Sequence, residues 1–292
     1  MSLSAKGYVY AMLSAVAYGT NPIFALPLYH DGMDVNTVLL LRYAIGALVL
    51  FLMIALHNRR SLLIGLKDLG GLAVMGVLMV LSSITLFASY DYLSAGIAST
   101  LLFFYPVMVS LIMALVYKER LGWRKIFCLI MAFAGVAILS KGDDGTGISW
   151  WGFLLVMLSS LSYSLYLVYI NRGPMKHLSS SVVTFYVLLV GLLFLFANSF
   201  LSGSICLPHH GWSWLNILGL GILPTVVSLW CTSQAISLIG STQTAIFGAM
   251  EPVTAVVLGI LILGETLTLM PAIGMVLIFV SVTLLVMQKS KI

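Results

Sequence analysis

Charged side chains are what this 292-residue chain has least of. Asp, Glu, Lys and Arg together make up 8% of it, whereas a soluble domain carries about 25%. Hydrophobic residues make up 61%, and the mean hydropathy is +1.11. So few charges cannot cover a folded chain with a hydrated surface, which excludes a soluble enzyme or binding module. The composition indicates an integral membrane protein whose outline is set by apolar spans of about 20 residues.

Metal-binding and energy-coupling motifs are also missing. The three cysteines, Cys128, Cys206 and Cys231, are scattered and form no CxxC pair or His/Cys cluster. We therefore expect no metal ion and no cofactor. No Walker A sequence is present, so the chain itself does not couple transport to ATP. The net charge of +5 does not require a nucleic-acid partner, because the Lys and Arg residues lie mainly in the connections between apolar segments.

Apolar runs fill most of the chain. The connections between them are short, which leaves no room for a soluble domain. Ten apolar segments cover approximately residues 7–28, 35–57, 69–90, 94–117, 123–140, 149–171, 180–202, 212–236, 240–263 and 268–287.

The basic residues divide unequally between the two sides of the predicted membrane. Twelve of the 14 Lys and Arg residues fall on one side if the ten segments all cross the bilayer. The other side carries Lys141 beside several acids, and Arg42 lies inside the second segment. Cytoplasmic loops carry an excess of Lys and Arg. The distribution therefore predicts ten spans with both termini in the cytoplasm.

The two halves of the chain repeat each other. Residues 11–21, AMLSAVAYGTN, align with residues 156–166, VMLSSLSYSLY, at a shift of 145. At a shift of 146, Pro106 in the fourth segment falls on Pro252 in the ninth. Any one identity is weak, but several at nearly one spacing indicate an internal repeat.

The repeat predicts the architecture. Each half contains five spans, an odd number, so the second half must insert upside down relative to the first. Glu119 and Glu265 then lie on opposite sides of the membrane although they align with each other. We predict an all-α integral membrane protein with ten transmembrane helices in two inverted five-helix repeats, residues 1–143 and 144–292. Inverted repeats are a transporter architecture, with the substrate site between the repeats.

One acid lies near the middle of an apolar span. Glu251 sits within residues 242–264, and Pro252 follows it. An ionised carboxylate near the bilayer centre costs about 2.5–3.5 kcal/mol or more. Pro252 also leaves the carbonyl of Gly248 without its helical donor, so this point should face neighbouring helices or a wet cavity. Glu251 belongs either to a solute or proton pathway or to a structural hydrogen bond with a neighbouring helix.

Arg42 is the second charge inside a span. It lies about two turns from the predicted outer end of the second segment, in LLLRYAIGALVLFLM. Two interpretations stay open: its long side chain reaches outward to the membrane surface, or it pairs with an acid or a substrate carboxylate.

Polar and aromatic residues recur at helical spacing on several predicted spans. Residues three or four apart share a helix face, and a polar-aromatic stripe is typical of a cavity wall. The alternative is that these residues only form hydrogen bonds and packing contacts between helices. The candidate substrate-cavity residues are Ser14, Tyr18, Asn21, Tyr105, Ser159, Tyr163, Tyr166, Trp230, Gln234, Phe247 and Glu251, with Arg42 as a candidate charge contact.

With repeat, topology and proline positions in hand, the chain resembles the drug/metabolite transporter superfamily, in its ten-helix EamA-like exporter branch. The resemblance covers essentially the whole chain. It rests on LRYAIGALVL in segment two, YPVMVSLIMALVYKERLGWRKIFCLIMAFAGVAIL across segments four and five, and EPVTAVVLGILILGETLTLMPAIGMVLIFVSV across nine and ten. It implies secondary transport of small metabolites, commonly export of amino acids or related compounds across a bacterial inner (plasma) membrane. It does not identify the substrate.

The sequence thus favours a secondary-active transporter that works by alternating access on a small-molecule substrate, as a monomer or a homodimer. The alternative is a passive channel or a membrane sensor for a small solute, although no filter-like loop or soluble signalling domain is present. An intramembrane enzyme needs several convergent polar groups. Two embedded ionisable residues, Glu251 and Arg42, are too few, so we expect no enzymatic activity.

Overall fold

The structure is a computed structural model that describes residues 3–118, 122–139, 148–172, 178–202, 206–208, 210–239, 244 and 247–287. Within these ranges the regular secondary structure is helical, without strands. Glu119 lies outside the described residues. The α-helices are α1 (Leu3–Gly19), α2 (Asn21–His30), α3 (Val35–Asn58), α4 (Leu66–Ser89), α5 (Ala95–Leu102), α6 (Tyr105–Val116), α7 (Trp123–Leu139), α8 (Trp150–Arg172), α9 (Ser180–Ser202), α10 (Gly211–Gly221), α11 (Ser228–Ile239), α12 (Met250–Leu263) and α13 (Leu269–Met287).

Seven helical stretches of the described chain are long and apolar enough to cross a membrane. They coincide with predicted segments one to four and six to eight. Segments five, nine and ten contain the shorter helices α7, α12 and α13. An all-helical membrane protein is therefore confirmed, while ten complete spans with both termini on one side remain a prediction. The seven stretches are Ala5–His30, Val35–His57, Asp68–Ser89, Ala95–Val116, Trp150–Ile170, Ser180–Leu201 and Gly211–Ile239.

Three of the first eight predicted spans are interrupted. Helix α1 gives way to α2 at Thr20, and α5 gives way to α6 at Phe103 and Phe104. The eighth span passes through a π-helical stretch, Ile222–Val227, between α10 and α11. The first interruption changes one expectation, because Asn21 begins a new helix and does not continue the regular face of Ser14 and Tyr18.

Proline positions account for two of the interruptions. Pro22 and Pro106 each lie in the first turn of the helix after the break, where a missing N–H group loses no helical hydrogen bond. In a continuous helix the same residue would remove a hydrogen bond and clash with the preceding turn. The carbonyl oxygen of Leu102, freed by Pro106, accepts from the Ser160 hydroxyl at 3.4 Å. A neighbouring helix thus satisfies backbone that lipid could not.

Helices of one half pack against helices of the other: α1 along α11, α4 along α8, α3 along α9 and α7 along α13. The Ser14 hydroxyl donates to the carbonyl oxygen of Ser228 at 2.9 Å, and the Ser159 hydroxyl donates to that of Ser82 at 2.7 Å. Ser159 follows Ser14 by 145 residues, and Ser228 follows Ser82 by 146. The two halves therefore make equivalent contacts in both directions, as the partners of an isologous interface do.

Close glycine contacts follow the same reciprocal rule. A Cβ atom at Gly76 would lie 2.5 Å from the side chain of Val190, and one at Gly221 would lie 2.6 Å from that of Ile45. Gly221 follows Gly76 by 145 residues, and Val190 follows Ile45 by the same number. Small residues let helices approach closely within a membrane, and here equivalent small residues do so on both sides of the interface between the halves.

The last helix of each half meets its counterpart directly. A Cβ atom at Gly274 on α13 would lie 2.8 Å from the carbonyl oxygen of Gly135 on α7. The two backbones are therefore close enough that neither position accepts a larger residue without moving a helix. This contact ties the C-terminal end of one half to the C-terminal end of the other.

Candidate functional site

Polar side chains from both halves come together where α1 ends and where α6 and α12 begin. Tyr18 lies in the last turn of α1, Tyr105 is the first residue of α6, and Glu251 lies in the first turn of α12. Tyr163 comes from the middle of α8. All four side chains are half-buried. A few convergent polar groups among aromatic side chains are typical of a ligand pocket.

Glu251 is the acidic centre of this group. Its carboxylate interacts electrostatically with Tyr18, Tyr105 and Tyr163. Among the described residues it accepts no hydrogen bond and forms no ion pair. Its position in the first turn of α12 places the charge at the positive end of the helix dipole, which stabilises an anion. The carboxylate is therefore held in place by the helix and left open toward the tyrosines.

Arg42 is the basic group close to Tyr18. It is 4% exposed, and its Nε donates to the Thr225 hydroxyl at 2.9 Å. Its guanidinium carbon lies 5.2 Å from the centroid of the Phe87 ring, a distance at which a ring face attracts a cation. Tyr18 lies close enough to both Arg42 and Glu251 to interact electrostatically with each.

The Arg42 charge is held without a carboxylate partner in the described part of the chain. A buried ion without a counter-ion is costly, so the guanidinium depends on the ring of Phe87 and the hydroxyl of Thr225. Because these groups are neutral, they do not compensate the positive charge of Arg42, and an anionic ligand can do so. A basic and an acidic side chain, both close to Tyr18, therefore lie inside a largely apolar bundle.

Aromatic rings surround the acid. The rings of Tyr105 and Tyr163 are 4.9 Å apart and nearly perpendicular, and Tyr166 stacks on Tyr163 at 5.9 Å. Tyr166 itself is 8% exposed and packs in an apolar cluster with Leu72 and its neighbours. Tyr105 and Tyr163 thus lie near Glu251, and Tyr166 packs against the ring of Tyr163.

Ser14 and Ser159 lie elsewhere, in the serine contacts between the halves. Ser14 bonds to Ser228 and, at 2.5 Å, to the hydroxyl of Thr232. Ser159 is fully buried against Ser82. For these two residues the structure matches the alternative interpretation, hydrogen bonds between helices.

Asn21 lies at the break beside Tyr18. Its Nδ2 donates to the Tyr18 carbonyl oxygen at 2.8 Å, which fixes the orientation of the amide. Its Oδ1 is buried and has no hydrogen-bond partner in the described structure. A buried acceptor without a donor is costly, and it is therefore a group that a ligand or a water molecule can satisfy.

The remaining candidates on α11 and α12 are separated from the charged group. Trp230 is 39% exposed, and its ring lies 5.6 Å from that of Tyr10. Phe247 lies one turn before Glu251 and contacts the Tyr8 ring at 5.5 Å. Gln234 is half-buried one turn beyond Trp230. The structure does not bring these three side chains to Arg42.

Three residues of the site carried no signal in the sequence. Phe87 and Tyr90 come from the end of α4, and Thr225 comes from the π-helical stretch. Tyr90 interacts with Tyr18 and Glu251. None of the three lies three or four residues from a charged residue on the same predicted span. Their contacts with Arg42 join helices that are distant in the sequence. Only the proximity of Pro224 to Thr225 pointed to an irregular stretch there.

Gly19 controls how closely α1 approaches Glu251. A Cβ atom at Gly19 would lie 2.5 Å from the Glu251 carbonyl oxygen and 2.7 Å from the Thr254 Cβ. The equivalent contact in the other half is a hydrogen bond, since the Ser164 hydroxyl donates to the Tyr105 carbonyl oxygen at 3.0 Å. The first helix of each half thus contacts a carbonyl group in the other half. Helix α1 contacts that of Glu251, just before Pro252, and α8 contacts that of Tyr105, just before Pro106.

The Gly19→Ala variant is expected to lose both stability and transport. Its methyl group meets backbone, so α1 must move away from α12 and carry Tyr18 away from Glu251. Overpacking of this kind costs about 1–3 kcal/mol. Thermal unfolding in detergent and substrate uptake by proteoliposomes measure the two effects. Gly70→Ala is the control, because nothing lies within 4 Å of a Cβ there. Unchanged uptake by Gly19→Ala would contradict the close packing.

The fold and the site define a multi-pass membrane protein with one acidic and one basic side chain inside its helical bundle. The EamA-like transporter family model matches residues 5–141 and again residues 150–287. The chain belongs to this family, which is part of the drug/metabolite transporter superfamily, and the resemblance in the sequence is confirmed. It is a transporter of the plasma membrane.

Three relatives whose names contain the word transporter agree with this assignment. "Uncharacterized transporter YdfC" of Bacillus subtilis is 28% identical over 250 residues, 84% of this chain and 79% of the relative. "Uncharacterized transporter YvbV" of the same organism is 31% identical over 204 residues, 69% of this chain and 66% of the relative. "Biotin transporter" of Escherichia coli is 29% identical over 140 residues, 48% of this chain and 45% of the relative.

A solved crystal structure has the same fold. It superposes with a TM-score of 0.69 and covers 96% of each chain at 18% sequence identity. At this identity the likeness extends to the arrangement of helices alone.

Proposed function

We propose that this protein is a secondary-active exporter of small metabolites that carry both an amino group and a carboxylate, such as amino acids. The observation that carries the proposal is that Tyr18 lies close enough to both Arg42 and Glu251 to interact electrostatically with each. The guanidinium fork suits a carboxylate, and the free Glu251 carboxylate suits an amine or a transported proton. Tyr105 and Tyr163 supply ring faces and hydroxyl groups for the remainder of a substrate.

The reciprocal contacts between the halves support alternating access. Ser14–Ser228 and Ser159–Ser82 are equivalent pairs, and each half contains five predicted spans. An upside-down repeat related by a two-fold axis in the membrane plane satisfies both facts. In such a molecule, one arrangement opens the site to one side, and exchanging the roles of the two halves opens it to the other.

The two halves differ where the charges lie. The position equivalent to Glu251 is Tyr105, and the position equivalent to Arg42 is Val187. Neither charge is therefore duplicated by the repeat. The packing between the halves is symmetric, whereas the polar site is not, which is the expected property of a carrier whose two open states share one substrate site.

Counterflow in proteoliposomes tests the proposed function. Vesicles are loaded with single unlabelled amino acids, aromatic ones included, and uptake of a labelled pool is followed. Biotin is added to the pool because one relative bears that name. Trans-stimulated uptake of one compound supports a carrier and identifies its substrate class. Uptake that an internal solute does not stimulate indicates a channel, and the absence of any flux removes these compounds as substrates.

A further inference from the structure

Glu265 makes a contact between the halves that the substrate site does not explain. It lies in the connection from α12 to α13, just after Gly264, which has a left-handed backbone with φ of 69°. Its carboxylate oxygens accept from the backbone N–H groups of Ala95 at 2.5 Å and Gly96 at 3.2 Å. These are the first two residues of α5, about 170 residues away in the chain.

Helix α5 already has a cap of its own. The Ser94 hydroxyl accepts from the Ile97 N–H at 3.4 Å, and the Ser94 carbonyl oxygen accepts from the Ala98 N–H at 2.9 Å. A helix start leaves four N–H groups without helical partners. The Ala98 bond is the first regular helical one, so the Ser94 hydroxyl satisfies only Ile97. Glu265 satisfies the other two N–H groups of the first turn, Ala95 and Gly96, and places its carboxylate at the positive end of the helix dipole.

Two glycines leave the space that the Glu265 carboxylate and the close approach of α5 to α12 require. A Cβ atom at Gly259 on α12 would lie 2.4 Å from Glu265 Oε2, and one at Gly96 would lie 2.9 Å from Val256. Any larger residue at 259 would push the carboxylate off its two donors. The contact therefore depends on the backbone turn at Gly264, on the space at Gly259, and on the close crossing of α5 with α12.

Helices α5 and α12 belong to the spans that carry the site. Helix α5 precedes the break before Tyr105, and α12 begins beside Glu251. Under the predicted topology, Glu265 and the start of α5 both face the outside, because each follows an odd number of spans from cytoplasmic termini. A route from the site to the outside that runs between these helices opens only when they separate, and their separation breaks both hydrogen bonds of Glu265.

We propose that Glu265 is an outer latch: its carboxylate holds α5 against α12 when the pathway is closed to the outside and releases it when the pathway opens. The proposal rests on the proposed alternating-access function. A group that joins the two moving halves at one side biases the equilibrium between the two open states. Glu265 acts through the position of α5 and does not touch the substrate.

Cysteine accessibility tests the latch without any substrate. Ala98→Cys lies one turn inside the latch, and Thr244→Cys is the equivalent position in the other half, on the inner side of Glu251. Each reporter is placed in a background with Cys128→Ala, Cys206→Ser and Cys231→Ala. A membrane-impermeant maleimide is applied to intact cells for the outer reporter and to inverted vesicles for the inner one.

Glu265→Gln is expected to raise the outer labelling rate about tenfold and to lower the inner rate, since loss of a helix cap changes such an equilibrium by about this factor. Gly259→Ala should produce the same shift without removing a charge. Combined with Glu265→Gln it should add little, because both changes break one contact. Asp91→Asn, an exposed acid beside α5, and Gly70→Ala should leave both rates unchanged.

Equal increases at both reporters would overturn the latch, because they indicate a general loosening of the fold. Unchanged labelling in Glu265→Gln would overturn it as well. The labelling and the counterflow experiment fail independently. A one-sided shift in labelling with no counterflow of any compound would leave the latch in place and remove the proposed substrates. Counterflow with unchanged labelling would do the reverse.

Discussion

Proteoliposomes that carry the Glu251→Gln variant are expected to take up substrate about 10- to 100-fold more slowly than the wild type. The substrate is the amino acid that gives the strongest counterflow. The substitution keeps the size of the side chain and removes its charge, and a hydrogen bond to a charged group contributes about 1.5–3 kcal/mol. Tyr18, Tyr105 and Tyr163 all interact with this carboxylate, so one change alters the centre of the site.

The two roles considered for Glu251 give different results in this variant. If the carboxylate holds the substrate amine, both net uptake and counterflow fall, and the concentration for half-maximal uptake rises. If it carries a proton, net uptake loses its dependence on pH while exchange of substrate for substrate continues. Asp91→Asn is the matched control, because it removes an exposed acid outside the bundle. Unchanged uptake and pH dependence in Glu251→Gln would assign the acid a structural role.

The helices were predictable because lipid imposes a simple rule on sequence. A span must be apolar over about 20 residues, and each predicted segment contains helix. Pro22 and Pro106 indicated the breaks at Thr20 and before Tyr105. The π-helical stretch at Ile222–Val227 was not predicted, since it depends on how the eighth span packs and Pro224 alone indicates only a local irregularity.

Helical spacing selects individual residues of the candidate site but does not give their arrangement. Helical spacing identified Tyr18, Tyr163 and Glu251, and the structure brings them together with Arg42. The same spacing also selected Ser14 and Trp230, one of which bonds to a neighbouring helix while the other is partly exposed. A polar residue at the right spacing can bond to another helix or face a cavity. Only the positions of the other helices decide between the two.

The partners of Arg42 show why sequence reasoning stops at this point. Thr225 is 183 residues away and Phe87 is 45 residues away, and neither residue type distinguishes itself from dozens of others in an apolar chain. The internal repeat does not help, because the equivalent of Arg42 is Val187. What makes Arg42 a candidate for carboxylate binding is the combination of burial, neutral neighbours and Tyr18, and these become visible together only in three dimensions.

Arg42→Gln is expected to reduce uptake about 30-fold or more. Removing one member of a buried, hydrogen-bonded charge pair costs about 2–5 kcal/mol, and here the lost pair is the one between the guanidinium and the substrate carboxylate. Arg42→Lys should lie between the variant and the wild type, because lysine keeps the charge but not the fork or the Nε contact with Thr225. Uptake by proteoliposomes containing equal amounts of folded protein measures the effect.

Ligand competition separates a contact with the carboxylate from a structural role of Arg42. In the wild type, the amino acid should compete for uptake far better than the corresponding amine, which lacks the carboxylate. In Arg42→Gln the advantage of the amino acid should disappear, while the amine competes as it did before. Phe87→Leu is the control, because it removes the ring beside the guanidinium and leaves the charge in place. Equal weakening of both competitors in Arg42→Gln, together with a lower unfolding temperature, would show that the guanidinium only holds α3 against its neighbours.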